Sequence, residues 1–288
     1  MPLPLRPLGR TGLSVTPLAL AHGAIRGHGP RGLSLAPEDV EAAFHEHGVT
    51  TFLVHPSFAP VVEGIRRLVR QGLRERLVLV GETGLPGGPF VRRTWEKTVR
   101  ATGAETLDVY LFGWLRSRGA LGWGSWAALE KLKAEGKVRA IGFSSHDRRL
   151  AAAVTREVRP DVLMLRYNAA HRGVEREVFD VLGDERPGVL AYTATRWGFL
   201  LKPLPARGFP AAMSGGDCYR FVLSHPGVDA VLCAARTPAE LREDVEAVLA
   251  GPLPPGRLEE CRRFGDAVHA AAKGGWRWMF REPSPARR

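Results

Sequence analysis

Eight short apolar runs, each followed by a turn and an amphipathic stretch, constrain this chain more than any other feature. They occupy residues 17–21, 51–55, 77–81, 108–112, 138–143, 162–167, 188–193 and 230–235. Runs of this length, rich in Val, Ile and Leu and separated by helical patterns, read as βαβ units of a parallel sheet buried on both faces. The helical patterns cover 37–47, 59–73, 89–102, 125–135, 147–158, 173–183, 214–224 and 238–250. Start signals support several of them. Pro37, Glu38 and Asp39 open one first turn, and Thr237, Pro238 and Glu240 supply a cap, a proline and a first-turn acid for another. Gly48, Gly72, Gly103, Gly136 and Gly183 stand where helices should stop. Strand and helix alternate eight times with no second cluster of elements. That pattern predicts a closed α/β barrel, the (β/α)8 TIM barrel, spanning 1–288 as a single domain.

Two pieces stand outside the repeat. Residues 5–16 carry Gly-Arg-Thr-Gly between apolar flanks and read as an N-terminal hairpin under the barrel. The C-terminal tail reads as a helix over about 257–273, then Trp276, Trp278, Met279 and Phe280. Both a packed strap and a lid over the mouth fit that aromatic segment.

Composition narrows the class. Apolar residues make up 44% and charged ones 25%, the balance of a soluble globular protein. No apolar run approaches the roughly 18 residues of a membrane span, and the first ten residues lack a signal peptide's apolar centre, so a cytoplasmic location is expected. Cys218, Cys233 and Cys261 show no metal or disulfide spacing, and no metal site is expected. The net charge of +11 raises the question of nucleic acid. Only six of the 41 basic residues are lysines and the arginines are scattered in short pairs, so a solvated surface is the expectation and a nucleic-acid partner is not.

Four segments, in order along the chain, resemble the aldo-keto reductases. They are L-G-R-T-G-L-S-V-T-P-L-A-L from Leu8, A-L-E-K-L-K-A-E-G-K-V-R-A-I-G-F-S-S from Ala128, R-Y-N at Arg166, and C-Y-R-F-V-L-S-H-P-G-V-D-A-V-L from Cys218. The resemblance implies a barrel that passes hydride from a nicotinamide to a carbonyl while a tyrosine, tuned by a lysine and an aspartate, supplies the proton and a histidine orients the substrate. An ordinary tyrosine, with a pKa of about 10, is a weak acid at neutral pH and needs such neighbours. At the matching positions this chain has Leu53 for the aspartate, Phe58 for the tyrosine, Glu82 for the lysine and Gly113 for the histidine. None of the four can take its family role.

The cofactor positions implied by the resemblance are altered too. Ser144, Ser145 and Met164 stand where the family holds the nicotinamide amide, and Tyr192 where an aromatic stacks on its ring. Ala234, Ala235, Glu240 and Asp244 stand where the adenosine phosphate is gripped, leaving Arg236 as the compensating charge. An NADP site is therefore left open but not indicated. Glu82, His55 and His22, near strand ends, are the candidates for other acid–base chemistry, and Arg166 could hold a carboxylate or neutralise Glu82. The expected function is a ligand-binding or regulatory barrel without the family's reductase chemistry, its partner a small molecule. The alternative is an enzyme of altered, non-redox chemistry using Glu82 and a histidine.

Overall fold

A computed structural model describes residues 1–21, 35–183 and 185–271. A two-stranded antiparallel hairpin, β1 (Arg6–Pro7) with β2 (Ser14–Val15), opens the chain. The barrel strands follow: β3 (Leu18–Leu20), β4 (Thr51–Val54), β5 (Val78–Thr83), β6 (Leu107–Phe112), β7 (Val138–Ser145), β8 (Val162–Arg166), β9 (Gly188–Tyr192) and β10 (Ala230–Cys233). Each pairs in parallel with its sequence neighbour, and β10 returns to β3, so the sheet closes into a ring of eight. Around it lie α1 (Pro37–His45), α2 (Ala59–Arg70), α3 (Gly88–Thr102), α4 (Gly119–Gly122), α5 (Ser125–Ala134), α6 (Arg148–Val158), α7 (Val174–Glu177), α8 (Gly215–Leu223), α9 (Pro238–Leu249) and α10 (Pro255–Ala271). Among the described residues no helix is long and apolar enough to cross a membrane.

Strand periodicity divides the apolar residues into two cores. Leu53, Val80, Val109, Leu111, Ala140, Met164, Leu190 and Tyr192 fill the inside of the barrel. Phe52, Leu79, Tyr110, Phe143, Leu163 and Val189 point outward and pack under the helices. Leu8, Leu13 and Val15 of the hairpin join the inner core, so the hairpin does stopper the barrel. Gly9, at φ +47°, lies so close to the start of β9 that a Cβ there would stand 2.3 Å from the Gly188 nitrogen.

The five stop glycines named above all adopt the left-handed conformation, with φ between 68° and 77°. Thr237 caps α9, its side chain accepting from the Glu240 nitrogen. Among the boundaries that differ from expectation, three departures bear on the site. β5 and β7 run two residues further, which carries Glu82, Ser144 and Ser145 into the sheet. The helix expected over 173–183 shrinks to the single turn of α7 and a 3-10 turn at Phe179–Val181. Val178 breaks it at φ −127° and ψ −59°, which turns the Phe179 ring inward against Tyr167 (5.6 Å) and His225 (4.8 Å). Third, α10 starts two residues early, at Pro255. It lies against the C-terminal ends of the strands: Gly265 packs on the Ala169 carbonyl, Arg172 pairs with Asp266 at 2.9 Å, and Arg196 donates to the Val268 carbonyl at 2.8 Å. The aromatic segment 276–280 lies outside the described residues.

Candidate functional site

Alternation along the strands fixes which side chains reach the mouth. Val80, Leu111, Ala140, Met164 and Leu190 point inward, so Glu82, Gly113, Ser144, Arg166 and Tyr192 share their parity one rung or two higher. Arg166 and Tyr192 are register partners on β8 and β9, and Glu82 pairs with Leu111 on β6. The last inward layer of this barrel is therefore polar above an apolar floor.

Glu82 is 9% exposed. Its Oε1 accepts from the Ser144 hydroxyl at 2.8 Å, and Ser144 in turn accepts from the Trp114 amide at 2.8 Å. Burial pushes the carboxyl up to about 7 against the opposing pull of that Ser144 bond. The space its side chain fills is the space Gly113 leaves. A Cβ on Gly113 would meet Glu82 Cγ at 2.7 Å and Cδ and Oε1 at 2.8 Å. The acid at the family's lysine position and the bare backbone at its histidine position are thus one packed unit. Parity and strand register hold the signal for that coupling, but only once β5 is extended to Thr83.

Leu53 lies in the inner core, and the half-buried Phe58, at the N-cap of α2, packs against that core. Neither offers a proton. His55 is half-buried beyond them, bonded through Nδ1 to the Ser57 hydroxyl at 2.6 Å, and burial lowers its pKa. The structure brings Glu82 together with Ser144, not with His55. His22 lies outside the described residues. His146 lies beside this layer, its ring edge-on to Tyr192 at 5.2 Å. Burial, then the charges of Arg166 and Arg116, push it down to about 4, so it is neutral at pH 7.

Tyr192 is the one tyrosine in the inner core; Tyr110 and Tyr167 belong to the outer one, where they bond the Val91 carbonyl and Glu175. Its hydroxyl is buried with no hydrogen-bond partner among the described residues. Burial raises its pKa, Arg166 lowers it in part, and Glu82 raises it again. A reductase tyrosine needs the opposite, a neighbour that makes it more acidic. Among the described residues no lysine stands beside it in the inner core.

The residues at the cofactor positions fit a nicotinamide dinucleotide poorly. Met164 is a buried wall of the inner core and has no amide to offer. The Ser145 hydroxyl is committed to the Leu115 carbonyl at 2.8 Å and to the Asp147 backbone. Arg236, just ahead of α9, is held by Glu240 in that helix's first turn at 2.5 Å, and Asp244 is a buried carboxyl pushed up to about 7 by burial, bonded by the Cys233 thiol at 3.6 Å. An approaching phosphate would meet two carboxyl groups and a cation already paired. Among the described residues no group of three or more metal-ligating side chains converges.

Two residues outside the sequence reading shape the rim. Arg196 is 9% exposed, in a left-handed turn at φ 50°, and Trp114 is 44% exposed at φ 52°. Only the turn-rich T-A-T-R-W and F-G-W contexts hinted at them. Asn168 of the R-Y-N segment closes its own loop, donating to the Thr193 carbonyl and accepting from the Ala170 amide.

The family model for the aldo/keto reductases matches residues 90–204. Among solved structures, an aldo-keto reductase from Pseudomonas aeruginosa is similar at 22% identity and a TM-score of 0.68, covering 85% of this chain and 95% of that one. A thermostable aldo-keto reductase solved with the inhibitor epalrestat is similar at 20% identity and a TM-score of 0.72, covering 91% and 100%. No curated protein sequence matches. By the family model over residues 90–204, and by fold over most of its length, this chain is an aldo-keto-reductase-like barrel.

Proposed function

We propose that this barrel binds a small molecule at its mouth and has lost the family's NADPH-dependent carbonyl reduction. The observation that carries the reading is the Glu82–Gly113 unit. A carboxyl fills the volume in which the family places a histidine, at the position from which it places a lysine, so neither proton-handling group has room to act. Leu53 and Phe58 support it from the other side of the mouth, as do the fully paired Arg236 and the raised pKa of Tyr192. Purified protein mixed with NADPH and a panel of aldehydes and ketones should oxidise no cofactor above the no-enzyme rate, and titration with NADPH or NADH should leave its tryptophan fluorescence unchanged. Robust, enzyme-dependent reduction ends this reading.

One observation favours a second reading, non-redox acid–base catalysis. A buried carboxyl near neutrality can both give and take a proton at physiological pH, the property such chemistry requires. Under that reading Glu82→Gln removes a turnover while the fold survives.

A further inference from the structure

We infer that the end of the barrel formed by the strand-to-helix connections rests on the surface of an anionic phospholipid bilayer. Exposed aromatic and leucine side chains enter the headgroup layer there, and arginines meet the lipid phosphates. This contact is independent of the ligand reading above, and either stands without the other.

Exposure marks the face. Nine large apolar side chains are exposed among the described residues, and six of them stand at this end. Leu85, Phe90, Trp114 and Trp123 lie on and beside the connections after β5 and β6, and Phe199 and Leu201 lie in the turn after β9, across the ring. The first four belong to two loops that are knit together. A Cβ on Gly84 would stand 2.9 Å from the Trp114 ring, and the Gly88 amide donates to the Trp123 carbonyl at 3.3 Å. The Gly87 amide donates to Ser125 Oγ at 2.8 Å, and the Trp114 amide to Ser144 Oγ at 2.8 Å. The backbone is thus pinned while its large side chains face water, Trp123 at 70% and Leu85 at 59%. Trp114 also holds φ at 52°, a costly conformation for a bulky residue. Apolar side chains gathered at one end in this way mark a contact surface.

Charge says what covers it. At the opposite end every helix-to-strand connection carries an acid, among them Glu46, Glu75, Glu105, Glu135, Asp161 and Asp229. The strand-to-helix connections carry one among the described residues, Asp147, and it is occupied in capping α6. Arg92 is paired with Glu96 and Glu135, and Arg118 with Glu157. Arg93, one turn after Phe90 on α3, and Arg116, two residues after Trp114, meet no carboxylate among the described residues. An apolar, acid-free face with free cations at its margin has the composition that seats on anionic headgroups.

Placement selects the bilayer among macromolecules. A plane meets the apolar side chains on both sides of the ring together, whereas a compact partner covers one side. Single-stranded nucleic acid stacks its bases on aromatic rings along a basic track, and Leu85 and Leu201 offer no ring. A duplex needs more phosphate contacts than two free arginines supply. A second copy in a symmetric pair would bring like charges together.

Co-sedimentation with phosphatidylglycerol vesicles, and with phosphatidylcholine vesicles as the neutral match, is the test. The protein should partition onto the anionic vesicles about tenfold more than onto the neutral ones, and high salt should release it. Phe90→Ser with Trp123→Ser should lower that partition about tenfold and leave the melting temperature unchanged, since both side chains are exposed. Arg93→Gln with Arg116→Gln should bring binding on the anionic vesicles down to the neutral level. The inference is overturned if phosphatidylglycerol vesicles carry down no protein, if both lipids bind it equally, or if the aromatic pair leaves the partition unchanged. It is equally overturned if, without vesicle binding, the same aromatic pair abolishes a dimer seen in sedimentation or a mobility shift of single-stranded oligouridylate.

Discussion

At the scale of single residues, Glu82 carries the most physics. It sits in the inner layer with its pKa raised from the usual 4.5 to about 7, so between those values the folded chain holds a proton that the unfolded chain has released. Stability from this group is therefore greatest in acid and falls as pH rises from about 4.5 to 7, the reverse of a salt-bridged carboxylate. Glu82→Gln keeps the acceptor for Ser144 and removes the titration. It should raise the unfolding free energy by up to about 3 kcal/mol at pH 8, the gain shrinking towards zero below pH 5, as read from melts across that range. An equal gain at both ends would mean that Glu82 titrates alike in the folded and unfolded chains, with no raised pKa. The residues matched to the family's proton-handling positions were legible in the sequence, because Leu53, Phe58, Glu82 and Gly113 fall in fixed places relative to their strands. What they do to each other was not. Packing of Glu82 into the niche above Gly113 depends on a rung of β5 that the apolar pattern omits, since a strand end carrying a glutamate and a threonine looks polar to any periodicity argument.

At the scale of elements, most boundaries follow local chemistry, and the departures come from packing. Glycines at helix ends and the Thr237 cap are local devices that act whatever surrounds them, and they sit where the sequence put them. The stretch after Gly173 has helical periodicity, yet it breaks at Val178 so that an aromatic ring can fill a gap beside Tyr167. α10 is held by close tertiary contact. Gly265 approaches the Ala169 carbonyl so nearly that a Cβ would lie 2.1 Å from its oxygen, against backbone that cannot yield as a side-chain tip would. Gly265→Ala should therefore lift α10 from the rim, costing about 1–3 kcal/mol and selectively deprotecting amides of residues 255–271 in hydrogen exchange. Uniform loss of protection through the barrel, or none, would contradict this docking. The helix itself was foreseen from its pattern; its seat on the strand ends was not, because no local signal says where a terminal helix lands.

At the scale of the whole molecule, the alternation of eight runs and eight helical patterns was enough to expect ring closure, and the ring is closed. The surface follows from how the arginines are spent. Arg67 meets Glu38, Glu41 and Glu63; Arg92 meets Glu96 and Glu135; Arg186 meets Asp229; and Arg257 meets Asp217 and Glu260. Pairing of this kind offsets part of the net charge of +11 among the described residues, and a labelled DNA duplex is expected to show no shift in mobility with micromolar protein at roughly physiological salt. A steeply salt-dependent shift would show that the unpaired cations are grouped after all. Closure has one more result. With β10 hydrogen-bonded to β3 on one side and β9 on the other, the barrel exposes no open row of amides and carbonyls for a neighbour's strand to zip onto. Among the described residues, backbone pairing with another chain is then left to the short hairpin and the loops, and misassembly through exchange of a barrel strand would first have to unzip the cylinder.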